Sequence, residues 1–549
     1  MKKIYQENVS VVRRFYENDL PGVNFCNPWF RIANSKVCGE FLCSGTVKIP
    51  GAEGYILKTI FTADRKGSFL LGVGSVRFFH AFCNGRLCCS TLGEGRLYDE
   101  FAPENHPFLV PVKKGENILE IHLGPGQRFD PFCCRPLERG ALKLPFLLFD
   151  PVISHLNTNA LSVICRTAGD VGCAIEYGIK GRMKKTLLWD QRGGLVRRRS
   201  LHKFFLSDLE PGAEYEYRIL MIDPRDPDLR RYSPSYTFTA PPDEKRKRFS
   251  FFFTADPQFP SETQRTLLKG LLEAADAGSC DFHVLGGDIN SRCSQSRIEK
   301  DLIPLMQQYG SNKALLMLRG NHELRGPEPD NFTDFWGDEE GKCYTMFRFG
   351  DTAFLLLDAW ENRPSDHPRA KYYSRHNLDE VIKAEEKAFV RQAVNSPLWQ
   401  KARRRIVLAH GASFSHFDRA GTMFRFLQEL TDEHFEGREP ESELHLWLAG
   451  HTHLYTRSCP GSDETAAFVM PPAPDKSGKN YLFPALTCCG PNAKGLPQLS
   501  AFRVDGEENG SLRVRSFLPD GSCFEEILIH EDHTITELLS LPHFIPEKL

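Results

Sequence analysis

The sequence predicts a multidomain α+β chain in which two β-rich units precede a unit of alternating strands and helices. Its 549 residues are enough for about three to five domains. Hydrophobic residues make up 41% and charged residues 26%, which excludes a mainly disordered or fibrous protein. Short apolar runs fill the first 240 residues, and from Phe249 strand-like runs alternate with segments of helical length. The net charge of −2 gives no general attraction to nucleic acid or membranes.

The first β-rich unit covers residues 1–146, where we predict a β-sandwich accessory domain. Apolar or alternating runs are separated by turn signals, of which Asn84-Gly85 is the clearest. An Asn-Gly pair favours a hairpin because a type I′ turn requires positive φ at both central residues. The stretch LVPVKKGENILEIHL, residues 109–123, resembles the closing strands of galactose-binding-like jelly-roll domains. That resemblance implies a jelly-roll-like sandwich and a carbohydrate contact through this domain.

The second β-rich unit covers residues 147–242. Its most regular stretch is LSDLEPGAEYEYRILMID, residues 206–223, in which Tyr215, Tyr217 and Ile219 alternate onto one face. This stretch resembles the corner of fibronectin type III and immunoglobulin-like sandwiches at which a tyrosine bridges two strands. Pro241-Pro242 and the charged residues that follow end the unit.

A basic segment lies within this second unit. Lys180 through Lys203 contains nine basic residues and one acidic residue, Asp190. Such a surface would suit nucleic acid or phospholipid headgroups, and a nuclease using residues 180–203 is one alternative function. A solvated hairpin explains the same charges, so both interpretations stay open.

The third unit, residues 247–549, predicts α/β layering. Buried-strand patterns occur at 249–255, 282–288, 314–320, 405–411 and 444–451, with a hairpin at 343–360 that turns at Gly350-Asp351. Helices are predicted at 261–278, 295–309, 379–395 and 420–435, the first with Ser261 and Gln264 at capping-box spacing. About the last 70 residues return to short β runs.

Polar side chains follow five of these strands at the point where each strand ends. In an open α/β sheet the carboxyl ends of the strands form the ligand-binding crevice. The five endings are Asp256-Pro257-Gln258, Gly286-Gly287-Asp288-Ile289-Asn290, Gly320-Asn321-His322-Glu323, Ala409-His410-Gly411 and Gly450-His451-Thr452-His453. We therefore expect their carboxylate, amide and imidazole groups to meet in one crevice.

The residue types in these endings favour a metal site. Carboxylate, amide and imidazole groups suit two divalent cations about 3.5–4 Å apart that share a carboxylate. Such a pair lowers the pKa of a shared water and neutralises charge on a phosphoryl group. None of the five endings contains cysteine, so a structural zinc site is disfavoured.

With these motifs in this order, the stretch 249–490 resembles the calcineurin-like metallophosphoesterase superfamily, in its purple-acid-phosphatase-like branch. The hairpin CYTMFRFGDTAFLLLDAW and the stretch GHTHLYTRS add to the resemblance. It implies a four-layer αββα domain and hydrolysis of phosphomonoesters or phosphodiesters, with two metal ions of manganese, zinc or iron. The implied metal ligands are Asp256, Gln258, Asp288 and His453 for the first ion, and Asp288, Asn321, His410 and His451 for the second.

The resemblance also implies roles for neighbouring residues. His322 would stabilise the transition state or protonate the leaving group, so that His322 and the bridging Asp288 are the catalytic residues. Glu323 and Asn290 would hold the ligands in place. A metal-bridging hydroxide would attack the phosphorus directly, without a phospho-enzyme.

Two positions depart from the family pattern. Gln258 stands where the family usually has histidine, and an amide oxygen is a poorer donor than imidazole. Ser291 stands where the purple enzymes carry a tyrosinate, three residues after the bridging Asp288. A ferric–tyrosinate centre is therefore not expected. A non-catalytic carbohydrate- or protein-binding module on the same scaffold is a further alternative.

Candidate substrate-binding residues lie in a polar insertion and shortly after a strand end. They could line a pocket for a small anionic phosphate ester, although a solvated loop explains them as well. The candidates are His367, Arg369, Lys371, Tyr372, Arg375 and His416.

The sequence also gives an expectation for location. The first residues contain no apolar signal-peptide core, and no stretch approaches about 18 apolar residues. The seventeen cysteines are odd in number, and none lies in the expected metal site. We expect a cytoplasmic protein with reduced thiols and no membrane partner. The oligomeric state is not predicted.

Overall fold

A computed structural model gives the architecture of the chain. It describes residues 23–24, 30–33, 36–38, 42–49, 52–75, 77–91, 105–126, 132–137, 146–223, 226–258, 261–291, 293–294, 297–325, 328–358, 379–413, 425–435, 444–460, 465–467, 483–491 and 498–539. Among these residues no helix has the length and apolar character needed to cross a membrane.

Eleven described N-terminal strands form two antiparallel sheets, and side chains of β5 to β11 share one apolar core. One sheet has the order β1-β5-β10-β7-β8, with β4 also paired to β5, and the other has the order β3-β2-β11-β6-β9. The predicted Asn84-Gly85 turn joins β7 to β8, with φ of 50° and 79°. The strands are β1 (Val23–Asn24), β2 (Phe30–Ala33), β3 (Lys36–Cys38), β4 (Leu42–Ile49), β5 (Ala52–Ala63), β6 (Gly67–Ser75), β7 (Phe79–Cys83), β8 (Arg86–Ser90), β9 (His106–Val112), β10 (Gly115–Gly126) and β11 (Phe132–Pro136).

The next nine strands form the second β-rich region. The Tyr215 hydroxyl accepts a hydrogen bond from the Glu210 N–H at 2.9 Å, so this tyrosine bridges the corner that precedes its strand. The relationship of the two β-rich regions to galactose-binding and fibronectin type III domains stays a prediction. The three domain limits stay predictions as well. The strands are β12 (Val152–Asn157), β13 (Ala160–Ile179), β14 (Thr186–Trp189), β15 (Gln191–Arg192), β16 (Leu195–Val196), β17 (Arg198–Leu206), β18 (Glu214–Asp223), β19 (Asp226–Tyr232) and β20 (Tyr236–Thr239).

The strands after residue 248 build two further sheet regions. In the first, β21, β22 and β23 are parallel. Strand β31 pairs antiparallel with β21, and β32, β33 and β34 follow it in order. The second sheet has the order β24-β25-β26-β27-β30-β28-β29. These strands are β21 (Phe249–Thr254), β22 (Phe282–Leu285), β23 (Ala314–Met317), β24 (Thr345–Phe349), β25 (Thr352–Leu357), β26 (Arg404–Ala409), β27 (Leu446–Ala449), β28 (Thr456–Ser458), β29 (Thr465–Ala466), β30 (Ala485–Thr487), β31 (Ala501–Gly506), β32 (Leu512–Phe517), β33 (Cys523–Ile529) and β34 (Ile535–Leu539).

The described helices lie on the outer faces of these two sheets. Apolar side chains of α1, α2 and α3 pack against the first sheet. Those of α4, α5 and α6 pack against the second. Ser261 caps α1, its hydroxyl accepting from the Gln264 N–H at 3.2 Å. The helices are α1 (Glu262–Ala274), a 3₁₀ turn (Ala277–Ser279), a π-helical turn (Ile298–Leu302) leading into α2 (Ile303–Gln307), α3 (Asn331–Trp336), α4 (Asp379–Val394), α5 (Pro397–Gln400) and α6 (Arg425–His434).

Aromatic rings fill the space between the two sheets. Phe251 stacks on Phe282 at 5.2 Å between ring centroids, and Phe354 from the facing sheet meets both rings edge-on at 5.6 and 5.5 Å. The order of layers is therefore helix, sheet, sheet, helix, as the resemblance implies. The first predicted helix ends at Ala274 rather than near Gly278. Strand β12 also pairs with β23 at Ile153 and Ala314, a contact between distant segments that the sequence pattern does not reveal.

Candidate metal centre

The loops after β21, β22, β23, β26 and β27 bring their polar side chains together. Two groups have ligand atoms that all lie within 4.8 Å of one another. One contains Asp288, His410 and His451, and the other contains Asp256, Asp288 and His453. Asp288 is the member common to both groups, which is the position expected of a carboxylate between two cations.

The backbone at the predicted ligands is strained. Nine non-glycine residues of the described chain have positive φ, and five of these are predicted ligands. Such a conformation is uncommon for residues with a side chain and persists where the surrounding structure enforces it. The five are Asp256 (57°), Gln258 (45°), Asp288 (52°), His451 (70°) and His453 (60°). The strain coincides with the place where the side chains must turn into the crevice.

The first half of the cluster consists of Asp256, Gln258 and His453. His453 Nε2 lies 3.2 Å from Asp256 Oδ1 and 3.2 Å from Gln258 Nε2. The other carboxylate oxygen of Asp256 accepts from the His451 N–H at 2.7 Å. The amide of Gln258 thus lies beside the imidazole with which it is expected to share a cation.

The second half consists of Asp288, Asn321, His410 and His451. His410 Nε2 lies 3.3 Å from Asp288 Oδ1 and 3.2 Å from His451 Nδ1. The side-chain oxygen of Asn321 lies 3.2 Å from His410 Nε2 and 3.1 Å from His451 Nδ1. Four groups that can each donate a lone pair therefore face one small volume.

The orientation of the Asn321 side-chain amide bears on whether a cation suits this volume. With its oxygen inward, the amide places that oxygen 3.3 and 3.1 Å from the two Asp288 carboxylate oxygens, and no proton separates these acceptors. With its nitrogen inward, the amide donates to Asp288 and to both imidazoles, while its oxygen accepts from Arg325 at 2.6 Å. A cation in the cluster makes the first orientation favourable because it attracts all the converging oxygens. The residues therefore fit a divalent metal ion.

Two imidazoles are oriented by backbone carbonyls. His410 Nδ1 lies 2.8 Å from the Gly286 carbonyl, and His453 Nδ1 lies 2.7 Å from the Pro491 carbonyl. In both rings the Nδ1–H donates outward, so Nε2 is the ring atom that faces the carboxylates and would bind a cation. Metal-binding histidines are commonly oriented in this way.

Comparison with known proteins identifies the fold that carries this cluster. The family model described as calcineurin-like phosphoesterase matches residues 249–455. These residues form a calcineurin-like phosphoesterase domain. Every residue of the two groups of potential metal ligands lies within this matched segment. No curated protein gives a significant match.

Some solved structures are similar to this chain at low sequence identity. A purple acid phosphatase isolated from yellow lupin (Lupinus luteus) seeds is 15% identical, with 86% of this chain and 93% of that chain covered and a TM-score of 0.46. PhoD is 11% identical, with 74% and 94% covered and a TM-score of 0.46. At these TM-scores neither likeness carries an argument about the chain.

Glu323 holds two of the ligand-bearing loops of the phosphoesterase domain. Its carboxylate is buried and accepts from the backbone N–H groups of Asp288, Ile289 and Gly320, each at 2.8 Å. The Glu323 carboxylate thus ties the loop after β22 to the loop after β23. Asn290 is also buried, and its side-chain nitrogen makes no hydrogen bond.

His322 lies at the edge of the cluster. Its backbone N–H donates to Asp288 Oδ1 at 2.8 Å, and its Nε2 lies 3.5 Å from Asp288 Oδ2. Arg325 Nη1 donates to the same Nε2 at 2.6 Å. The side chain of His322 is 17% exposed, whereas that of Asp288 is 2% exposed. His322 therefore lies between the buried ligands and solvent.

The electrostatics of the phosphoesterase domain favour a positive charge in the cluster. Burial lowers the pKa of His410, but the neighbouring Asp288 and Asp256 outweigh it and raise that pKa to about 10. Burial likewise raises the pKa of Asp288, yet His410 and His322 hold it below the ordinary value. Burial and the His410 charge lower the pKa of His451 to about 3. The two carboxylates thus stabilise the protonated form of His410. A bound cation would supply the same positive charge.

Two glycines permit the close approach of the ligand loops. A Cβ on Gly320 would lie 2.3 Å from Asp288 Oδ1, and a Cβ on Gly450 would lie 2.3 Å from Asp256 Oδ2. Any side chain at either position would displace a predicted ligand. This explains why glycine precedes Asn321 and His451.

Part of the basic segment is ion-paired. Lys180, Arg182 and Lys185 form ion pairs with acidic residues of β18 and the turn before it, namely Glu214, Glu210 and Glu216, at 2.7, 3.1 and 3.1 Å. Asp190 is paired with Arg199 at 2.8 Å and contacts His202. These pairs reduce the positive field that a polyanion would need.

Other predicted site residues lie outside the described residues. These are His367, Arg369, Lys371, Tyr372, Arg375 and His416. Two site residues were missed from the sequence. Arg325 contacts His322, and Arg319 forms a buried ion pair with Asp358. The signal for Arg325 is its position three residues after His322, on the same tight turn.

Proposed function

We propose that the chain hydrolyses phosphate esters at a dinuclear metal centre. Asp256, Gln258, Asp288 and His453 would hold one cation, and Asp288, Asn321, His410 and His451 the other. The observation that carries the proposal is the membership of Asp288 in both groups of potential ligands. The strained backbone at five of these residues and the carbonyl-oriented imidazoles support the same ligand set.

Each residue of the centre has a defined task. Two divalent cations, when bound, lower the pKa of a shared water and neutralise charge on the phosphoryl oxygens. Asp288 occupies the shared position, and Glu323 fixes the backbone of its loop through the Asp288 and Ile289 N–H groups. His322 reaches the partly exposed side of the cluster, where an ester would enter.

The ligand types point to manganese, zinc or ferrous iron. Oxygen donors from carboxylates and amides suit manganese, and imidazole suits zinc and iron. Ser291 is exposed and stands where a purple enzyme carries its tyrosine, so the chain offers no phenolate at that position. The chain therefore lacks the group on which a ferric–tyrosinate centre depends.

Removal and return of metal tests the proposed function. The full chain stripped by a chelator is expected to lose at least about a hundredfold in hydrolysis of p-nitrophenyl phosphate or its bis-ester, because metal ions supply several kcal/mol of charge stabilisation. Reloading with manganese should restore the rate and give two equivalents of metal per chain, measured by elemental analysis. A chain that takes up no metal would support the binding-module alternative and contradict the enzyme. Hydrolysis of nucleic acid that falls steeply with salt would instead support the nuclease.

A further inference from the structure

A short hairpin extends from the second β-rich region, within the basic segment. Strands β15 and β16 form a two-stranded sheet of their own, in which Arg192 stands opposite Leu195. Gly193-Gly194 forms the turn between them, with φ of 60° and 82°, a conformation that glycine adopts without strain. A Cβ on Gly172 of β13 would lie 3.0 Å from Val196 Cγ1, so the base of the hairpin lies against β13.

The turn of this hairpin is bordered by exposed aliphatic side chains. Leu195 is 76% exposed and Val196 is 42% exposed. Removing such aliphatic surface from water is favourable, so both side chains are available to stabilise a contact. Isolated apolar residues are nevertheless common on protein surfaces, and their exposure alone identifies no partner. The charges around them are therefore the deciding observation.

The charged residues that flank the aliphatic pair are arginines. Arg192 and Arg198 are exposed, and neither forms an ion pair with a carboxylate of the described chain. Arg197 lies 3.9 Å from the buried Asp190. Asp170, exposed on the adjacent strand β13, makes no ion pair with Arg192 or Arg198. The hairpin thus presents aliphatic groups bordered by positive charge.

This charge distribution separates the hairpin from the earlier part of the basic segment. There, Lys180, Arg182 and Lys185 are each paired with a glutamate at 2.7 to 3.1 Å. Those pairs lower the positive field around the turn between β13 and β14. The exposed arginines without an ion pair stand instead beside the aliphatic turn of β15 and β16.

We propose that the β15–β16 hairpin docks on the surface of a membrane that contains anionic phospholipids. Leu195 and Val196 enter the boundary between headgroups and acyl chains, and Arg192 and Arg198 contact the lipid phosphates. Surfaces that bind single-stranded nucleic acid combine basic residues with aromatic rings, whereas the side chains at this turn are aliphatic. The expectation of no membrane partner rested on the lack of a spanning segment, and docking at the surface needs none.

Binding of the full chain to lipid vesicles tests this inference. The chain should sediment with vesicles made of equal parts phosphatidylcholine and phosphatidylserine, and not with vesicles of phosphatidylcholine alone. Binding to the anionic vesicles should weaken as the salt concentration rises, because salt screens the arginine charges.

Two substitutions separate the charged from the aliphatic contribution. Arg192→Gln should weaken binding to the anionic vesicles about fivefold, the effect of one basic residue near a membrane surface. Leu195→Ser should weaken it about tenfold, because an aliphatic side chain no longer leaves water. Lys401→Gln, after α5, and Leu538→Ser, on β34, replace exposed residues elsewhere and should bind as the unsubstituted chain does. All four variants should keep the native circular dichroism.

Three results would overturn the inference. The first is equal binding to neutral and anionic vesicles, or no binding to either. The second is vesicle binding that Leu195→Ser leaves unchanged, or tighter binding to an oligonucleotide that Arg192→Gln weakens and Leu195→Ser does not, which would assign the hairpin to nucleic acid. The third is self-association in sedimentation velocity that Leu195→Ser abolishes, which would assign the hairpin to a second copy of the chain.

Discussion

Replacing Asp288 by asparagine is expected to abolish hydrolysis of p-nitrophenyl phosphate, with a loss of at least about a thousandfold. Asp288 belongs to both groups of potential metal ligands, and its carboxylate is the negative charge common to them. Asparagine has nearly the same shape but offers one neutral oxygen, so it cannot bind two cations as a carboxylate does. Several kcal/mol of charge stabilisation depend on bound metal, and each 1.36 kcal/mol is tenfold in rate.

The control for Asp288→Asn is Asp301→Asn. Asp301 is 38% exposed on the π-helical turn, and its nearest ion-pair contact, to Arg265, is 3.9 Å long. The control should keep the full rate, and both variants should keep the circular dichroism of the unsubstituted chain. Full metal-dependent activity in Asp288→Asn would show that the assignment of the centre is wrong.

Glu323→Ala is expected to lower the free energy of unfolding of the metal-loaded chain by at least about 3 kcal/mol, together with its activity. The alanine would leave three buried backbone N–H groups, on Asp288, Ile289 and Gly320, without the carboxylate that now accepts from them. An unsatisfied buried donor costs about 1–3 kcal/mol. Chemical denaturation followed by fluorescence measures the change.

Two further variants separate this effect from a general loss of charge. Glu323→Gln keeps one acceptor oxygen and should fall between alanine and the native residue. Glu339→Ala removes an exposed carboxylate of the same domain and should change stability by less than about 0.5 kcal/mol. Equal stability of Glu323→Ala and Glu339→Ala would mean that Glu323 does not hold the ligand loops.

The convergence of the candidate ligands could be predicted from local sequence patterns. Parallel strands place their carboxyl ends along one edge, so a polar residue after each strand predicts a shared crevice without knowledge of the contacts. The structure brings Asp256, Asp288, His410, His451 and His453 together there, as that reasoning expects. The structure adds that Gly320 and Gly450, which directly precede ligands, stand at positions that have no room for a side chain.

Other contacts could not be predicted because they depend on register between distant strands. Lys180 and Glu214 are 34 positions apart, and their pairing depends on how β13 aligns with β18. Arg319 and Asp358 meet only because β23 and β25 belong to sheets that face each other. Local sequence patterns carry no information on either of these ion pairs.

Anomalous X-ray scattering from crystals of the manganese-loaded full chain would locate the metal ions directly. We expect two peaks about 3.5–4 Å apart. One should lie beside Asp256, Gln258 and His453, the other beside Asn321, His410 and His451, and the Asp288 carboxylate should touch both. A single peak, or peaks that Asp288 does not join, would contradict the dinuclear centre.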